Sequence, residues 1–140
     1  MNYKALLLKA FEGREEAYAP YSNFNVGAAV LCEDGKIYKG CNIENASYGA
    51  TNCAERTAIF KAVSEGNRSI KAIAIVGAEN DYTYPCGICR QVISEFASKD
   101  AEIILGKGKD EYIVKTLDEL LPGAFNNSMM SAGRSLDGEV

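Results

Sequence analysis

The run IKAIAIVG at residues 70–77 carries apolar side chains at nearly every position. A strand with this pattern must be covered on both faces, which is typical of an internal strand in an α/β sheet. Helical patterns lie on either side of it, one from about Cys53 to Glu65 and one from about Gly87 to Ser98. The run therefore predicts the centre of a sheet with helices packed against it.

The remaining apolar patterns predict further elements around this strand. The pair Asp34-Gly35 predicts a two-residue type I′ hairpin turn between two strands. The expected elements are a helix over residues 2–17, strands over 24–32, 37–41, 103–105 and 112–114, and a short helix over 116–121. This order predicts an α/β domain of three layers, in which a mixed sheet of roughly five strands lies between two layers of helices (α/β/α). We expect residues 1–125 to form this single domain, followed by a flexible, polar C-terminal tail over residues 126–140.

The composition of the 140 residues restricts the classes of partner. No run approaches the roughly 20 apolar residues of a membrane span. The formal net charge is −4 and the 15 Lys and Arg residues are scattered, whereas a nucleic-acid binder needs a basic surface. The N-terminal residues open an amphipathic run rather than a signal peptide. We therefore expect a cytoplasmic protein without nucleic-acid or membrane partners.

Five cysteines and the absence of histidine limit the chemistry that the chain can carry. An odd number of cysteines in a cytoplasmic chain argues against a disulfide framework. Histidine-dependent nucleophiles and His-containing zinc sites are excluded, so any metal must be bound by Cys, Asp or Glu. With a two-residue turn, Cys32 and Cys41 would share a sheet face about 13 Å apart, too far for a common disulfide or zinc ion. We interpret both as small buried side chains.

The other three cysteines lie at the expected starts of the two helices. Cys86 and Cys89 have the Cys-x-x-Cys spacing that lets two thiolates bind one ion, and Cys53 would approach them if both helix N-termini point to one place. Three thiolates leave one position of a tetrahedral zinc ion free for water, as in catalytic sites. Arg56 and Arg90, which follow these cysteines, would offset the negative charge by donating hydrogen bonds to the sulfurs.

Glu55 lies two residues after Cys53, so its carboxylate is expected to face the open zinc position and to carry protons between water and a substrate nitrogen. Other interpretations remain open from the residues alone. Asn52 and Glu55 have the spacing of a helix capping box, and the Cys-x-x-Cys pair could be a redox pair. A fourth cysteine, Cys32 or Cys41, could also complete a structural zinc site.

Five stretches of the chain together resemble the short, homotetrameric, three-cysteine zinc cytidine deaminases of nucleoside salvage. They are PYSNFNVGAA at residues 20–29, GCNIENASY at 40–48, CAERTA at 53–58, PCGICRQ at 85–91 and LLPGAF at 120–125. The pair Cys-x-Glu and Pro-Cys-x-x-Cys carries most of the specificity, because it contains both the metal ligands and the acid–base residue of nucleobase deaminases. The resemblance spans about residues 18–125, which is most of the chain.

The resemblance implies an activity and a mechanism. One Zn²⁺ per subunit would be bound by Cys53, Cys86 and Cys89. Zinc hydroxide would attack C4 of free cytidine or deoxycytidine, and ammonia would leave to give uridine or deoxyuridine. Glu55 would shuttle the protons between the water, ring nitrogen N3 and the departing amine.

The resemblance also implies contacts to the substrate. Asn42 and Glu44 match the pair that hydrogen-bonds the ribose 3′-hydroxyl. Phe24 matches the aromatic residue that packs on the pyrimidine, and the N–H of Ala54 matches the donor to the pyrimidine carbonyl. A contact to the 3′-hydroxyl does not read the 2′ position, so both cytidine and deoxycytidine are expected substrates.

Two further aromatic residues carry an expectation about assembly. Phe125 and Tyr48 match residues that contribute to the pocket of a neighbouring subunit. The resemblance therefore implies a homotetramer whose active sites are shared between subunits.

Alternative functions compete with this one. A related aminonucleoside deaminase of the blasticidin type has the same chemistry, but the loop that contains Asn42 and Glu44 resembles one that binds a free ribose. The acidic balance and a cysteine as first ligand disfavour a polynucleotide deaminase. A non-catalytic zinc module would need a fourth cysteine beside the other three, and a non-enzymatic interaction protein would not require Glu55.

Overall fold

The computed structural model describes residues 1–126, which contain five strands and four α-helices. The strands are β1 (Gly27–Cys32), β2 (Ile37–Cys41), β3 (Ile70–Val76), β4 (Ala97–Lys107) and β5 (Glu111–Thr116). The helices are α1 (Tyr3–Arg14), α2 (Ala54–Ser64), α3 (Gly87–Phe96) and α4 (Leu117–Leu120), and a 3₁₀ turn spans Tyr48–Ala50. The strands form one sheet in the order β2-β1-β3-β4-β5, in which β3 and β4 are parallel and the other neighbours are antiparallel.

Helices cover both faces of this sheet. On one face, Leu7 and Ala10 of α1 pack in a buried cluster with strand residues such as Ile104. On the other face, Ile59 of α2 and Ile93 of α3 belong to a second buried cluster. The mixed five-stranded sheet between two helical layers confirms the predicted α/β/α architecture.

The centre of the sheet is β3, as the apolar run predicts. All its residues except Lys71 are buried, and it pairs with β1 on one side and β4 on the other. Burial of each branched side chain stabilises the fold by about 1.5–3 kcal/mol, so this strand contributes much of the core. α2 precedes β3 and α3 follows it, which brings both helices to the same face of the sheet.

The N-terminal helix is shorter than its sequence pattern suggests. Asn2 caps it, because the Asn2 side chain accepts a hydrogen bond from Ala5 N at 3.0 Å. The helix ends at Arg14 instead of continuing to residue 17. After Arg14 the chain runs to the loop that follows β2, where Tyr18 N donates to Asn42 O at 2.9 Å. A long-range backbone contact of this kind has no signal in the local sequence pattern.

The hairpin between β1 and β2 corrects the predicted turn. Leu31 pairs with Ile37, and Cys32 N donates to Lys36 O at 2.9 Å, so the three residues 33–35 form the loop. Gly35 adopts a positive φ of 91°. A type I′ turn needs positive φ at two residues, whereas a three-residue loop needs it only at the glycine that ends the turn. The one-residue change in register moves side chains to the other face. Cys32 and Cys41 therefore lie on opposite faces, and both are buried and free.

The two strands at the other edge are longer than predicted. Ile103–Leu105 lies in the second half of the eleven-residue β4 and is fully buried. Its polar first half still forms part of the strand, and Ile70 pairs with Ala97 across a register shift. Apolar periodicity detects only the buried part of such a strand.

No helix among residues 1–126 is long and apolar enough to cross a membrane. Of the predicted tail over residues 126–140, only Asn126 belongs to the described part of the chain.

Candidate active site

The starts of α2 and α3 bring three cysteine sulfurs together. Cys53 is the N-cap of α2, Cys86 is the N-cap of α3, and Cys89 lies in the first turn of α3. Their Sγ atoms all lie within 4.8 Å of one another, and those of Cys53 and Cys86 are 3.7 Å apart. All three cysteines are free. The predicted convergence of the two helix N-termini is therefore present in the structure.

The spacing of the sulfurs fits a zinc ion. Tetrahedral ligands at a Zn–S distance of about 2.3 Å lie about 3.8 Å apart, close to the 3.7 Å between Cys53 and Cys86. Three sulfur ligands without histidine also suit a soft metal such as zinc better than magnesium or calcium. Among residues 1–126, these three cysteines form the cluster of side chains that could bind a metal. The fourth position of a tetrahedral zinc ion therefore stays open. The alternative of a structural zinc site, with Cys32 or Cys41 as the fourth ligand, is wrong, because neither cysteine belongs to the cluster.

Hydrogen bonds favour the thiolate form of Cys53. The Cys89 thiol beside it and the Arg56 guanidinium lower the pKa of Cys53 to about 5. Arg56 Nη2 donates to Cys53 Sγ at 3.3 Å, and Arg56 Nε is buried without a hydrogen-bond partner in the described residues. Arg56 therefore lies where it can offset negative charge on the sulfurs.

Arg90 does not make the contact predicted for it. Its Nε donates to Pro85 O at 2.8 Å and its Nη1 donates to Leu120 O at 2.6 Å. The guanidinium therefore fixes the start of α3 against the end of α4, and its hydrogen bonds go to carbonyls instead of a sulfur. Its contribution at the site is to the position of α3.

Glu55 lies beside the cysteine cluster in the first turn of α2, with only 4% of its surface exposed. Burial raises the pKa of this carboxyl to about 7. A carboxyl with such a pKa can both accept and donate a proton near neutrality. The capping-box interpretation is wrong, because Cys53 is the N-cap, and the Asn52 side chain donates to Thr57 Oγ1 at 3.0 Å instead.

A cavity of about 320 Å³ opens in front of Glu55 and two of the cysteines. It brings together seven of the predicted site residues: Phe24, Asn42, Glu44, Cys53, Ala54, Glu55 and Cys86. Six further residues line it that the sequence analysis did not assign to the site: Ser22, Val26, Thr51, Asn52, Thr83 and Tyr84. Ser22 and Val26 lie in the stretch at residues 20–29, and the other four directly precede the stretches that begin at Cys53 and Pro85. Closeness to these stretches is the signal that could have indicated them.

The side chain of Asn42 is buried and binds the backbone on one side of the cavity. Its Oδ1 accepts from Val26 N at 2.9 Å, and its Nδ2 donates to Phe24 O at 2.8 Å. Asn42 therefore positions the segment that carries the Phe24 ring, in addition to lining the cavity itself.

The carboxylate of Glu44 is oriented by the loop that precedes β1. Its Oε1 accepts from Tyr21 N at 3.0 Å and from Ser22 N at 3.1 Å, and its Oε2 accepts from Ser22 Oγ. The hydrogen bond from the Ser22 hydroxyl is the main cause that lowers the pKa of Glu44. Glu44 is thus an oriented anion at the rim of the cavity.

Tyr48 and Phe125 lie outside the cavity of their own chain. They are 77% and 62% exposed, and the Tyr48 ring makes an edge-on contact with Tyr21 at 6.1 Å between ring centroids. The Phe125 backbone is fixed, because its carbonyl accepts from Gln91 Nε2 at 2.7 Å. Both aromatic side chains are therefore available to a neighbouring molecule.

The fold and the site define a class: a small α/β/α protein with a three-cysteine metal site open to a ligand-sized cavity beside a buried carboxyl. The family described as the cytidine and deoxycytidylate deaminase zinc-binding region matches residues 1–106, and the chain belongs to this family. The cysteine cluster is therefore a zinc site, with one Zn²⁺ per chain.

Individual relatives and solved structures agree with this family. The chain is 51% identical to the cytidine deaminase of Sporosarcina psychrophila over 94% of this chain and 96% of that protein. It is 50% identical to the cytidine deaminase of Halalkalibacterium halodurans over 94% and 99% of the two chains. The crystal structure of cytidine deaminase from Burkholderia pseudomallei matches with a TM-score of 0.84 and 49% identity, covering 89% of this chain and all of that one. That of the Mycobacterium tuberculosis enzyme matches with a TM-score of 0.79 and 38% identity, over 89% and 98%.

Proposed function

We propose that the protein is an enzyme that hydrolyses free cytidine and deoxycytidine to uridine and deoxyuridine, with release of ammonia. The observation that carries this proposal is the buried Glu55 carboxyl beside the three-sulfur zinc site, at the inner end of a cavity. The cavity volume of about 320 Å³ lies within the range of small-ligand sites. The names of the relatives above support the same substrate.

The reaction adds water across the C4–N3 bond of the ring and then expels the amine from C4. A zinc ion held by the three cysteines would lower the pKa of a bound water, which would supply a hydroxide nucleophile at neutral pH. Glu55 takes the proton of that water and transfers it to N3. It then carries the proton of the new C4 hydroxyl to the exocyclic amine, so that the bond from C4 to the amine breaks, ammonia leaves and a carbonyl remains at C4. A pKa of about 7 suits a group that performs both transfers.

The remaining cavity residues would bind and orient the nucleoside. Phe24 packs on the pyrimidine ring, and the N–H of Ala54, at the start of α2, donates to the pyrimidine carbonyl. Glu44, with Asn42 beside it, binds the ribose 3′-hydroxyl. The three hydrogen bonds that orient Glu44 support this assignment, because they use only part of the acceptor capacity of its carboxylate.

The test is the isosteric variant Glu55→Gln, assayed by the ultraviolet change on cytidine and by ammonia release. We expect kcat to fall by at least about 100-fold because the proton carrier is lost, while zinc content and Tm stay near those of the wild type. Glu65→Gln, at the exposed far end of the same helix, is the matched control and should keep full activity. Turnover of Glu55→Gln within about tenfold of the wild type would refute the role of Glu55.

The same assay separates the rival functions. Rapid deamination of blasticidin with little turnover of cytidine would favour the related aminonucleoside deaminase. Zinc-loaded wild-type protein that releases no ammonia from any of these substrates would favour a non-catalytic zinc module.

The assembly that best fits the proposal is a homotetramer with shared active sites. Its support is that Phe125 and Tyr48 are exposed aromatic side chains outside their own cavity. Phe125→Ala should therefore lower kcat/KM on cytidine, and light scattering should give four times the chain mass. Mixing and reassembling Phe125→Ala and Glu55→Gln subunits should restore part of the activity, because some sites would combine an intact Glu55 with a neighbour's Phe125. A monomer in solution, or an unaffected Phe125→Ala enzyme, would contradict shared sites.

A cytoplasmic location is also part of the proposal. It is supported by the five free cysteines, of which Cys53 and Cys86 have sulfurs only 3.7 Å apart without a disulfide. A reducing compartment keeps such thiols available for metal binding.

A further inference from the structure

The hydroxyl group of Ser22 connects two residues of the cavity that lie on different segments. Ser22 Oγ donates a hydrogen bond to Glu44 Oε2 and accepts one from Phe24 N at 3.0 Å. Glu44 is the proposed sugar contact and Phe24 is the proposed base contact. A single side chain therefore fixes the distance between the two parts of the site that would hold a nucleoside.

We propose that Ser22 is a positioning residue that sets the preference of the site for nucleosides with a free 3′-hydroxyl. This inference rests on the proposed function. Ser22 acts by holding the Glu44 carboxylate at a fixed position relative to the Phe24 ring, so that base and sugar are recognised together.

The backbone around Ser22 is shaped for this connection. Asn23 has a φ of 58°, and no other non-glycine residue within residues 1–126 has a positive φ. Asparagine tolerates this left-handed conformation better than most residues. The turn at Asn23, closed by its N–H to Ala19 O at 2.9 Å, lets the N–H of Phe24 point back to the Ser22 hydroxyl. Backbone strain of this kind concentrates at functional sites.

The hydrogen bonds of Glu44 leave room for a substrate hydroxyl. A carboxylate has about four acceptor positions, two on each oxygen. Oε1 already accepts from the backbone N–H groups of Tyr21 and Ser22, and Oε2 accepts from Ser22 Oγ. One position on Oε2 therefore remains, and its direction depends on the Ser22 hydroxyl. Without that hydroxyl, only Oε1 is fixed and the carboxylate can turn away from the sugar.

The experiment compares cytidine with 3′-deoxycytidine as substrates for the wild type and Ser22→Ala. We expect KM for cytidine to rise by roughly three- to tenfold in Ser22→Ala, as for the loss of one exposed hydrogen bond, with kcat within about twofold. The rise should be clearly smaller for 3′-deoxycytidine, which has no hydroxyl for Glu44 to bind. Ser22→Thr keeps a hydroxyl and should restore the preference for cytidine. Ser47→Ala, whose serine lies in the following loop and makes no capping hydrogen bond, is the matched control.

The outcomes separate this inference from the proposed function. Zinc-loaded wild-type protein that converts no cytidine overturns the proposed function, and this inference with it. An active wild type with an unchanged Ser22→Ala variant overturns the positioning role alone. An equal rise in KM for both substrates, or a loss confined to kcat, also overturns it, because the 3′-hydroxyl would then not be what Ser22 helps to recognise.

Discussion

Gly40 of β2 lies directly beneath the first turn of α2, and its replacement by alanine should damage the zinc site from a distance. A Cβ atom at this position would lie 2.4 Å from Ala54 O, 2.5 Å from Ala58 N and 2.9 Å from Ala58 Cβ. Two of these are backbone atoms, which cannot turn aside as a side chain can. Because ordinary contacts begin at 3.4 Å, the start of α2 must move by about 1 Å.

This displacement has two consequences of different size. Overpacking by a methyl group costs about 1–3 kcal/mol of the free energy of unfolding, which lowers Tm by roughly 3–10 °C for a chain of this length. The helix start also carries Cys53, whereas Cys86 and Cys89 belong to α3. A zinc site tolerates deviations of only about 0.2 Å in its ligand distances. We therefore expect zinc affinity to fall by about tenfold or more, and kcat with it.

Three measurements test Gly40→Ala: Tm with saturating zinc, zinc affinity by competition with a chelator, and kcat on cytidine. Gly49→Ala is the matched control, because Gly49 has an ordinary φ and a Cβ there would meet no atom within 4 Å. An unchanged Tm would show that β2 and α2 are not in close contact. A lower Tm with zinc affinity within twofold of the wild type would refute the argument that the helix start transmits the displacement to Cys53.

Four further perturbations act on other parts of the site. Arg56→Gln should weaken zinc binding by about tenfold and change the pH profile of activity, since its guanidinium donates to Cys53 Sγ; Arg90→Gln should mainly lower Tm, since its partners are carbonyls. A chelator should abolish activity reversibly and destabilise the protein by about 2.7 kcal/mol relative to zinc at 100-fold its Kd, measured by thermal unfolding. Asn42→Ala should lower the free energy of unfolding, measured with a chemical denaturant, by about 1–3 kcal/mol and should raise KM, because it leaves Val26 N unpaired and releases the Phe24 segment. A variant with the stability and KM of the wild type would contradict the role of that side chain.

The sequence predicts the parts of this protein whose signals are local. The apolar run of β3 indicates burial on both faces, and the cysteines at the expected helix starts indicate three sulfurs at one place. Both signals are physical: an all-apolar strand must be covered, and helices on either side of one strand pack on its sheet. The same helix start places Glu55 near the metal site. Cys53 is the N-cap and Glu55 lies in the first turn of α2, so both residues lie beside the sulfur cluster.

The parts that the sequence does not predict depend on contacts between distant residues. The hairpin loop has three residues, and nothing in Asp34-Gly35 distinguishes this from a two-residue turn; yet the difference decides which face Cys41 occupies. Arg90 lies close behind Cys89 in sequence, but its direction is set by Leu120 O, thirty residues away. The bond from Ser22 to Glu44 joins two loops without periodicity, so no pattern could indicate it.

The division of the zinc ligands between two helices explains why these distant contacts matter for function. Cys53 moves with α2, which can pack this close to the sheet only because Gly40 has no side chain. Cys86 and Cys89 move with α3, whose start is fixed by the two carbonyl contacts of Arg90. The sulfur-to-sulfur distance of 3.7 Å is therefore the result of packing on one side and hydrogen bonding on the other. Neither contact touches the metal, but each sets half of the geometry that zinc requires.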